Sequence, residues 1–365
     1  MRSGESVQPA DNGHAGSGLR CLVTGGAGFI GSHLVDTLLA EGHHVTVIDS
    51  LETGQRSNLP DQHVRLQIII GDLAQVLRAQ VVGLARLHAA DFDHVYHLAA
   101  SVGVGRIMAN RVSSIRTNIE HTAELLEWAC AGSPSGRMPK VLIASSSEVY
   151  GKSAKVPFSE DDDVIYGSTT VHRWSYACSK AVDEFLALAF AHEQKLPIVI
   201  ARLFNTVGPR QLGRYGMVLP NFVASALADT ALEIHGDGLQ TRCFCDVRDV
   251  RTALISLMQS DACTGRVFNV GSDQTISIAE LAALVIEAIG SGVTSMRPYA
   301  SVYAEGFEDL RQRRPDLARI STAIGWKPTI PLRRTIIDLA DWLRVSQHPP
   351  VVMPTIAPRG KEHAK

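Results

Sequence analysis

Short apolar runs alternate along the chain with longer stretches in which apolar residues recur every three or four positions. The runs fall at residues 20–24, 45–48, 66–70, 94–98, 141–144 and 198–201, and helical spacing covers 29–41, 114–131 and 176–193. Strand-like runs interleaved with helical ones predict an α/β fold built on a doubly wound parallel sheet. Beyond about residue 206 the pattern shortens. Gly236-Asp237-Gly238 predicts a hairpin-like turn and Ile278–Ile289 a helix, so residues 206–345 are expected to form mainly a smaller C-terminal α/β substrate lobe, with one or more strands returning to the main sheet. Residues 1–18, rich in Gly, Ser and polar side chains, predict a disordered arm, and the proline-punctuated stretch 346–365 a flexible tail.

The first run leads into the most specific turn of the chain. Leu19-Arg20-Cys21-Leu22-Val23-Thr24 is followed by Gly25-Gly26-Ala27-Gly28-Phe29-Ile30-Gly31 and then by a helical pattern. In a strand-turn-helix of this kind Gly25 permits the turn, Gly28 lets backbone amides approach a pyrophosphate and Gly31 allows the helix to pack closely on the sheet; the helix N-terminus faces the anion. Residues 19–205 are therefore expected to be a Rossmann dinucleotide-binding domain. Val45-Thr46-Val47-Ile48 ends in Asp49, an acid placed to accept from both ribose hydroxyls and to repel a 2′-phosphate, which favours NAD over NADP. Asp72, after the third run, is placed to accept from an adenine amino group and Leu73 to pack on the ring.

Proton-transfer chemistry is suggested by Trp174-Ser175-Tyr176-Ala177-Cys178-Ser179-Lys180. Positions i and i+4 share a helix face, so the Lys180 charge is expected to make the Tyr176 phenol ionise more readily than a free phenol of pKa about 10. About thirty residues earlier a strand end carries Ser145-Ser146-Ser147-Glu148.

Composition narrows the partners. At 365 residues and 45% hydrophobic the chain is long enough for a large core, and a net charge of −2 gives no electrostatic reason to expect nucleic acid or an anionic membrane. No apolar run approaches membrane-spanning length, and the expected compartment is the cytoplasm. The cysteines at 21, 130, 178, 243, 245 and 263 are expected as reduced packing thiols, with no metal site.

The ordered set Thr24 to Gly31, Asp49, Asp72-Leu73, His97-Leu98-Ala99-Ala100, Asn118, Ser145 to Gly151, Tyr176 with Lys180, and Ala201 to Arg210 resembles the extended short-chain dehydrogenase/reductases that act on nucleotide sugars. The resemblance spans about residues 19–345. It implies NAD held by Gly25, Gly28, Phe29, Ile30, Gly31, Asp49, Asp72, Leu73, Leu98, Ala99, Ala100, Asn118, Tyr176 and Lys180. It implies catalysis by Tyr176 as proton acceptor, with Lys180, Ser146 and Glu148, and a nucleotide-diphosphate sugar bound by Ser147, Asn205, Val218, Leu219, Arg242 and Arg313. His97 would line the cofactor channel. A homodimer through the helices at 114–131 and 176–193 is also implied. Asp246 departs from the Tyr or His usual in the family's Arg-x-Phe-x-[Tyr/His]-Val-x-Asp run. Oxidation to a 4-keto sugar serves several outcomes. The stretches Gly208 to Gln211, Tyr215 to Val218 and Gly306 to Asp309 resemble those of 4-epimerases, and 4-epimerisation is the first expectation. Ser-Glu-Val-Tyr-Gly, the Arg-Leu-Phe-Asn-Thr run and Arg313 before Pro315-Asp316 resemble UDP-glucuronate decarboxylases, the second. A dehydratase ranks third, because Ser147-Glu148 stands where dehydratases carry Asp-Glu.

Overall fold

The computed structural model describes residues 18–79, 81–82, 85–100, 111–131, 137–213, 217–302 and 310–346. Both expected flexible ends, apart from Gly18 and Ser346, and the stretches around Tyr215 and Gly306 lie outside them. Seven parallel strands form the central sheet: β1 (Arg20–Thr24), β2 (His44–Asp49), β3 (Leu66–Ile70), β4 (His94–His97), β5 (Lys140–Ser146), β6 (Ile198–Leu203) and β7 (Arg266–Val270), in the order 7-6-5-4-1-2-3. The order reverses between β1 and β4, so a crevice opens there at the carboxyl ends of the strands.

Both faces of the sheet are covered, which is why the strands are apolar almost throughout. On one face Val23, Val47, Leu142, Val199 and Phe268 pack with α1 (Phe29–Ala40) and α6 (Val247–Gln259). On the other, Leu22, Ile48, Val95, Val141 and Ile200 pack with α2 (Leu73–Ala79), α3 (Arg111–Cys130) and α4 (Trp174–Glu193). Alternate residues of β1 thus go to opposite cores, as the period-2 pleat requires.

A third core joins α5 (Val218–Leu227), α7 (Ile278–Ile289) and α9 (Leu332–Val345), while α8 (Ala318–Ile324) packs into the first core beside β7. Ser277 and Glu280 close a capping box at the start of α7, and Gly290 ends the helix in the left-handed region. The expected hairpin at Gly236-Asp237-Gly238 is a turn only. Residues 231–235 pair in parallel with 293–297 and residues 241–243 pair antiparallel with 275–277, so the segments flanking the turn do not pair with each other.

The stretch 152–175 is stitched down through its first half. Gly151 bridges Ile165, and Phe158 bridges Pro315, with Phe158 N–H donating to the Arg314 carbonyl at 2.8 Å and Asp316 N–H to the Phe158 carbonyl at 2.8 Å. Glu160, from the acidic run, is buried and accepts from the Asn269 amide of β7 at 2.9 Å.

Candidate active site

The turn between β1 and α1 is fixed by contacts that tolerate no side chain at two positions. Gly25 has φ +71°, and a Cβ there would stand 2.8 Å from the Ala99 amide nitrogen; a Cβ on Gly31 would lie 2.2 Å from the Gly25 carbonyl oxygen. Leu98 N–H donates to the Thr24 carbonyl at 3.2 Å and Ala99 N–H to Thr24 Oγ1 at 3.2 Å, so Leu98-Ala99-Ala100 continues the crevice floor. Phe29, Ile30 and Gly31 open α1, where first-turn amides have no carbonyl partner within the helix. Asp49, at the end of β2, is oriented by Ala27 N–H (2.9 Å) and Leu51 N–H (2.8 Å). A glycine turn that admits backbone approach, free helix amides and an oriented acid at the next strand end fit a dinucleotide.

Two of the expected adenine contacts have partners within the protein. Leu73 opens α2 pointing inward and is 3% exposed in the core with Leu22 and Ile48, so its side chain is not available to adenine. Asp72 is committed to local structure: Oδ1 accepts from Gln75 N–H at 3.0 Å and Oδ2 pairs with His121 Nε2 at 2.9 Å. Asn118 is buried behind the Tyr-Lys helix and donates to Ser179 Oγ at 3.3 Å. His97 is 1% exposed and bridges Thr24 Oγ1 (2.8 Å) and Thr122 Oγ1 (3.3 Å); burial and the nearby Lys180 hold its pKa well below 6.5, so it is neutral.

Tyr176 and Lys180 share the inner face of α4, and the Ser146 hydroxyl hydrogen-bonds the phenol. Ser146 also accepts from Glu148 N–H at 3.2 Å, which closes the turn after β5. Here the structure reverses an expectation. Burial raises the Tyr176 pKa above 10 and Glu148 adds to it, outweighing Lys180 and Ser146 in the protein alone. Lys180 is held charged despite burial, because Asp183 accepts from its Nζ at 3.0 Å.

Glu148 lies beside this pair in a cationic nest. Its Oε1 is ion-paired with Arg313 and its Oε2 lies 3.8 Å from Arg173; both guanidinium side chains are 8% exposed. Burial alone would raise the carboxyl pKa, but Arg313, Arg173 and Arg242 together hold it below its usual 4.5. Arg173 went unassigned in the sequence, although it stands one helical turn before Tyr176.

On the lobe side, Asn205 has φ +30° and donates to the Cys243 carbonyl at 2.8 Å, next to Arg242, which donates to the Leu310 carbonyl at 2.8 Å. Ser147 is buried at 4% exposure. Val218 and Leu219 open α5; Leu219 is wholly buried in the lobe core, which leaves only its backbone to a ligand. Asp246 faces away from this surface. It caps α6, accepting from Arg248 N–H (2.8 Å), from both sides of the Arg248 guanidinium and from Thr335 Oγ1 (2.7 Å). Cys243 and Cys245 are buried, and no metal-holding cluster of His, Cys, Asp or Glu occurs among the described residues. Cys178 is exposed, so packing does not account for it. No helix among the described residues is long and apolar enough to cross a membrane.

The sheet order, the glycine turn and the Ser-Tyr-Lys set define a dinucleotide-dependent enzyme of the short-chain dehydrogenase/reductase type. The model of the NAD-dependent epimerase/dehydratase family matches residues 21–271, and the chain belongs to that family; its cofactor is NAD. It is 38% identical over 327 residues to UDP-N-acetyl-alpha-D-glucosaminuronate decarboxylase of Bacillus cytotoxicus, covering 89% of this chain and 98% of that protein. It is 33% identical to UDP-glucuronic acid decarboxylase 1 of Xenopus tropicalis, over 89% of this chain and 72% of that one. Among solved structures it is similar to UDP-N-acetylglucosamine 4-epimerase of Methanobrevibacter ruminantium M1, with a TM-score of 0.78 at 28% identity over 90% and 99% of the two chains.

Proposed function

We propose that the protein is an NAD-dependent decarboxylase of a UDP-linked hexuronate. The observation that supports this reading is the nest around Glu148: two buried guanidinium groups, Arg173 and Arg313, converge beside Tyr176, and guanidinium groups so placed suit a substrate carboxylate better than a neutral sugar. The similarity to decarboxylases supports it over the 4-epimerase reading that the sequence put first. The missing acid beside Glu148 disfavours dehydration.

In this reading Tyr176 takes the proton of the sugar 4-hydroxyl, with Ser146 hydrogen-bonding the same oxygen and Lys180 compensating the phenolate. NAD, which Gly25, Gly28, Gly31 and Asp49 would hold, would supply the hydride acceptor and donor at C4. The C4 ketone makes the C5 carboxylate a β-keto acid: the bond from C5 to the carboxyl carbon breaks, its electron pair passes into the C4 enolate, and carbon dioxide leaves. C5 then takes a proton, and Tyr176 returns its proton to O4 as the ketone is reduced. Arg313 and Arg173 orient the carboxylate before it leaves, and Glu148, ionised between them, handles the water or proton at C5. Arg242 and Asn205 face the diphosphate.

The test is product mass after incubation with UDP-glucuronate and UDP-N-acetylglucosaminuronate. Loss of carbon dioxide is expected; a product of unchanged mass and new stereochemistry would restore the epimerase. Glu148→Gln should lower kcat by about 10²–10⁴ with NAD binding retained. Near-normal turnover of that variant would sink the assigned role.

A further inference from the structure

The Lys180 ammonium has a partner that neither the sequence motif nor the family comparison assigns. Asp183 follows it by three residues on α4. The two side chains are 3% and 0% exposed, and their contact is 3.0 Å. A fully buried carboxylate is costly unless it is paired and hydrogen-bonded. Asp183 Oδ1 itself has no hydrogen-bond partner among the described residues; Thr122, on α3, lies beside the carboxylate, and Thr122 Oγ1 lies 3.3 Å from His97 Nε2, while His97 Nδ1 lies 2.8 Å from Thr24 Oγ1.

His97 links the crevice floor to α3: Ala99 N–H donates to Thr24 Oγ1 at 3.2 Å, and the imidazole hydrogen-bonds Thr24 Oγ1 through Nδ1 and Thr122 Oγ1 through Nε2, an arrangement that either tautomer satisfies.

We propose that Asp183 is a positioning residue of this site: set beside Thr122, it holds the Lys180 ammonium fixed and charged beside Tyr176. The inference rests on Tyr176 being the proton acceptor, as above. The charged and titratable groups facing the pair are Asp183 and Glu184 of the same helix, Glu148 after β5 and neutral His97 of β4; Thr122 of α3 and Ser146 supply hydroxyls. Within this set Asp183 partly cancels the Lys180 charge felt by the phenol.

The test is a spectroscopic titration of the NAD-saturated protein through the tyrosinate absorbance, with Tyr176→Phe in each background to subtract the other tyrosines. Asp183→Asn keeps the shape and removes the charge. Without Asp183 the ammonium is neither held in place nor kept charged, and this outweighs the removal of Asp183's own charge, so the Tyr176 midpoint should rise by about one pH unit, a tenfold change in its ionisation constant. Thr122→Val, which leaves the pair itself intact, should move the midpoint less and in the same direction, and it serves alone if Asp183→Asn does not fold. An unmoved or lowered midpoint in a folded variant overturns the proposal. Because the titration needs no turnover, inactivity on UDP-uronates would refute the decarboxylase reading and leave this inference to be decided by the midpoint.

Discussion

Two side chains at the crevice differ in how far sequence alone described them. Asp49 was legible because a strand end after a glycine turn leaves an acid few other tasks, and the structure shows it held by two backbone amides. We predict that Asp49→Ala weakens NAD binding and narrows the preference over NADP, since both the ribose acceptor and the repulsion of a 2′-phosphate are removed; fluorescence titration with the two cofactors checks this, and unchanged selectivity places the ribose elsewhere. For Tyr176 the spacing reveals Lys180 at i+4, which lowers the phenol pKa, but neither the burial of the phenol nor Glu148 and Asp183 beside it, which raise it. His97 makes a prediction of a different kind. Its native pKa lies well below 6.5 while the unfolded chain titrates near 6.5, so as pH falls through 6.5 only the unfolded state takes up the proton. Stability should therefore decline toward acid between the unfolded and native pKa values, at up to about 1.4 kcal/mol per pH unit for this one group. In His97→Gln the slope of unfolding free energy between pH 6.5 and 5 should be shallower, measured by denaturant titration; an unchanged slope would show that His97 does not carry it.

Six sheet strands and three long helices follow from apolar periodicity, because strands covered on both faces and helices of about three to five turns leave strong patterns. The seventh strand was not singled out. Arg266-Val-Phe-Asn-Val270 is short and interrupted by Asn269, a polar residue that its site on the edge of the sheet uses: its side chain donates to the Phe158 carbonyl at 2.9 Å and accepts from Tyr150 Oη at 2.7 Å. Leu73 and Leu219 show what periodicity leaves open: each stands in the first turn of a helix, and only the packing of that helix tells whether its side chain faces a ligand or the core. At the element scale the sharpest prediction concerns the turn before α1. Gly31→Ala puts a methyl group 2.2 Å from the Gly25 carbonyl oxygen, backbone on both sides, so the helix must lift from the sheet. Loss of NAD binding together with a fall in Tm of several degrees is expected, read by cofactor titration and calorimetry; a variant that binds NAD normally would show that the turn can shift.

At the scale of the whole molecule, α3 and α4 cover one face of the sheet and leave Val112 (73% exposed) and Phe185 (70%) open to solvent. We expect these helices to meet those of a second copy, and Phe185→Glu to shift the protein toward monomer in sedimentation velocity; a wild-type protein that sediments as a monomer at all concentrations rejects the interface.

The Glu148–Arg313 pair joins residues 165 positions apart, and Arg313 reaches the site only because the neighbouring strand-like segment clasps Phe158. On a ribosome adding about 5–20 residues per second, Glu148 is synthesised roughly 10–30 s before its counter-charge. The nascent chain therefore passes through an interval in which the nucleotide-binding turn and the Tyr-Lys helix already exist while the carboxylate still lacks Arg313. Completion of the substrate pocket is among the last events in the making of this protein, so a chain stopped short of residue 313 would carry every residue expected to hold NAD and lack the arginine assigned to the uronate.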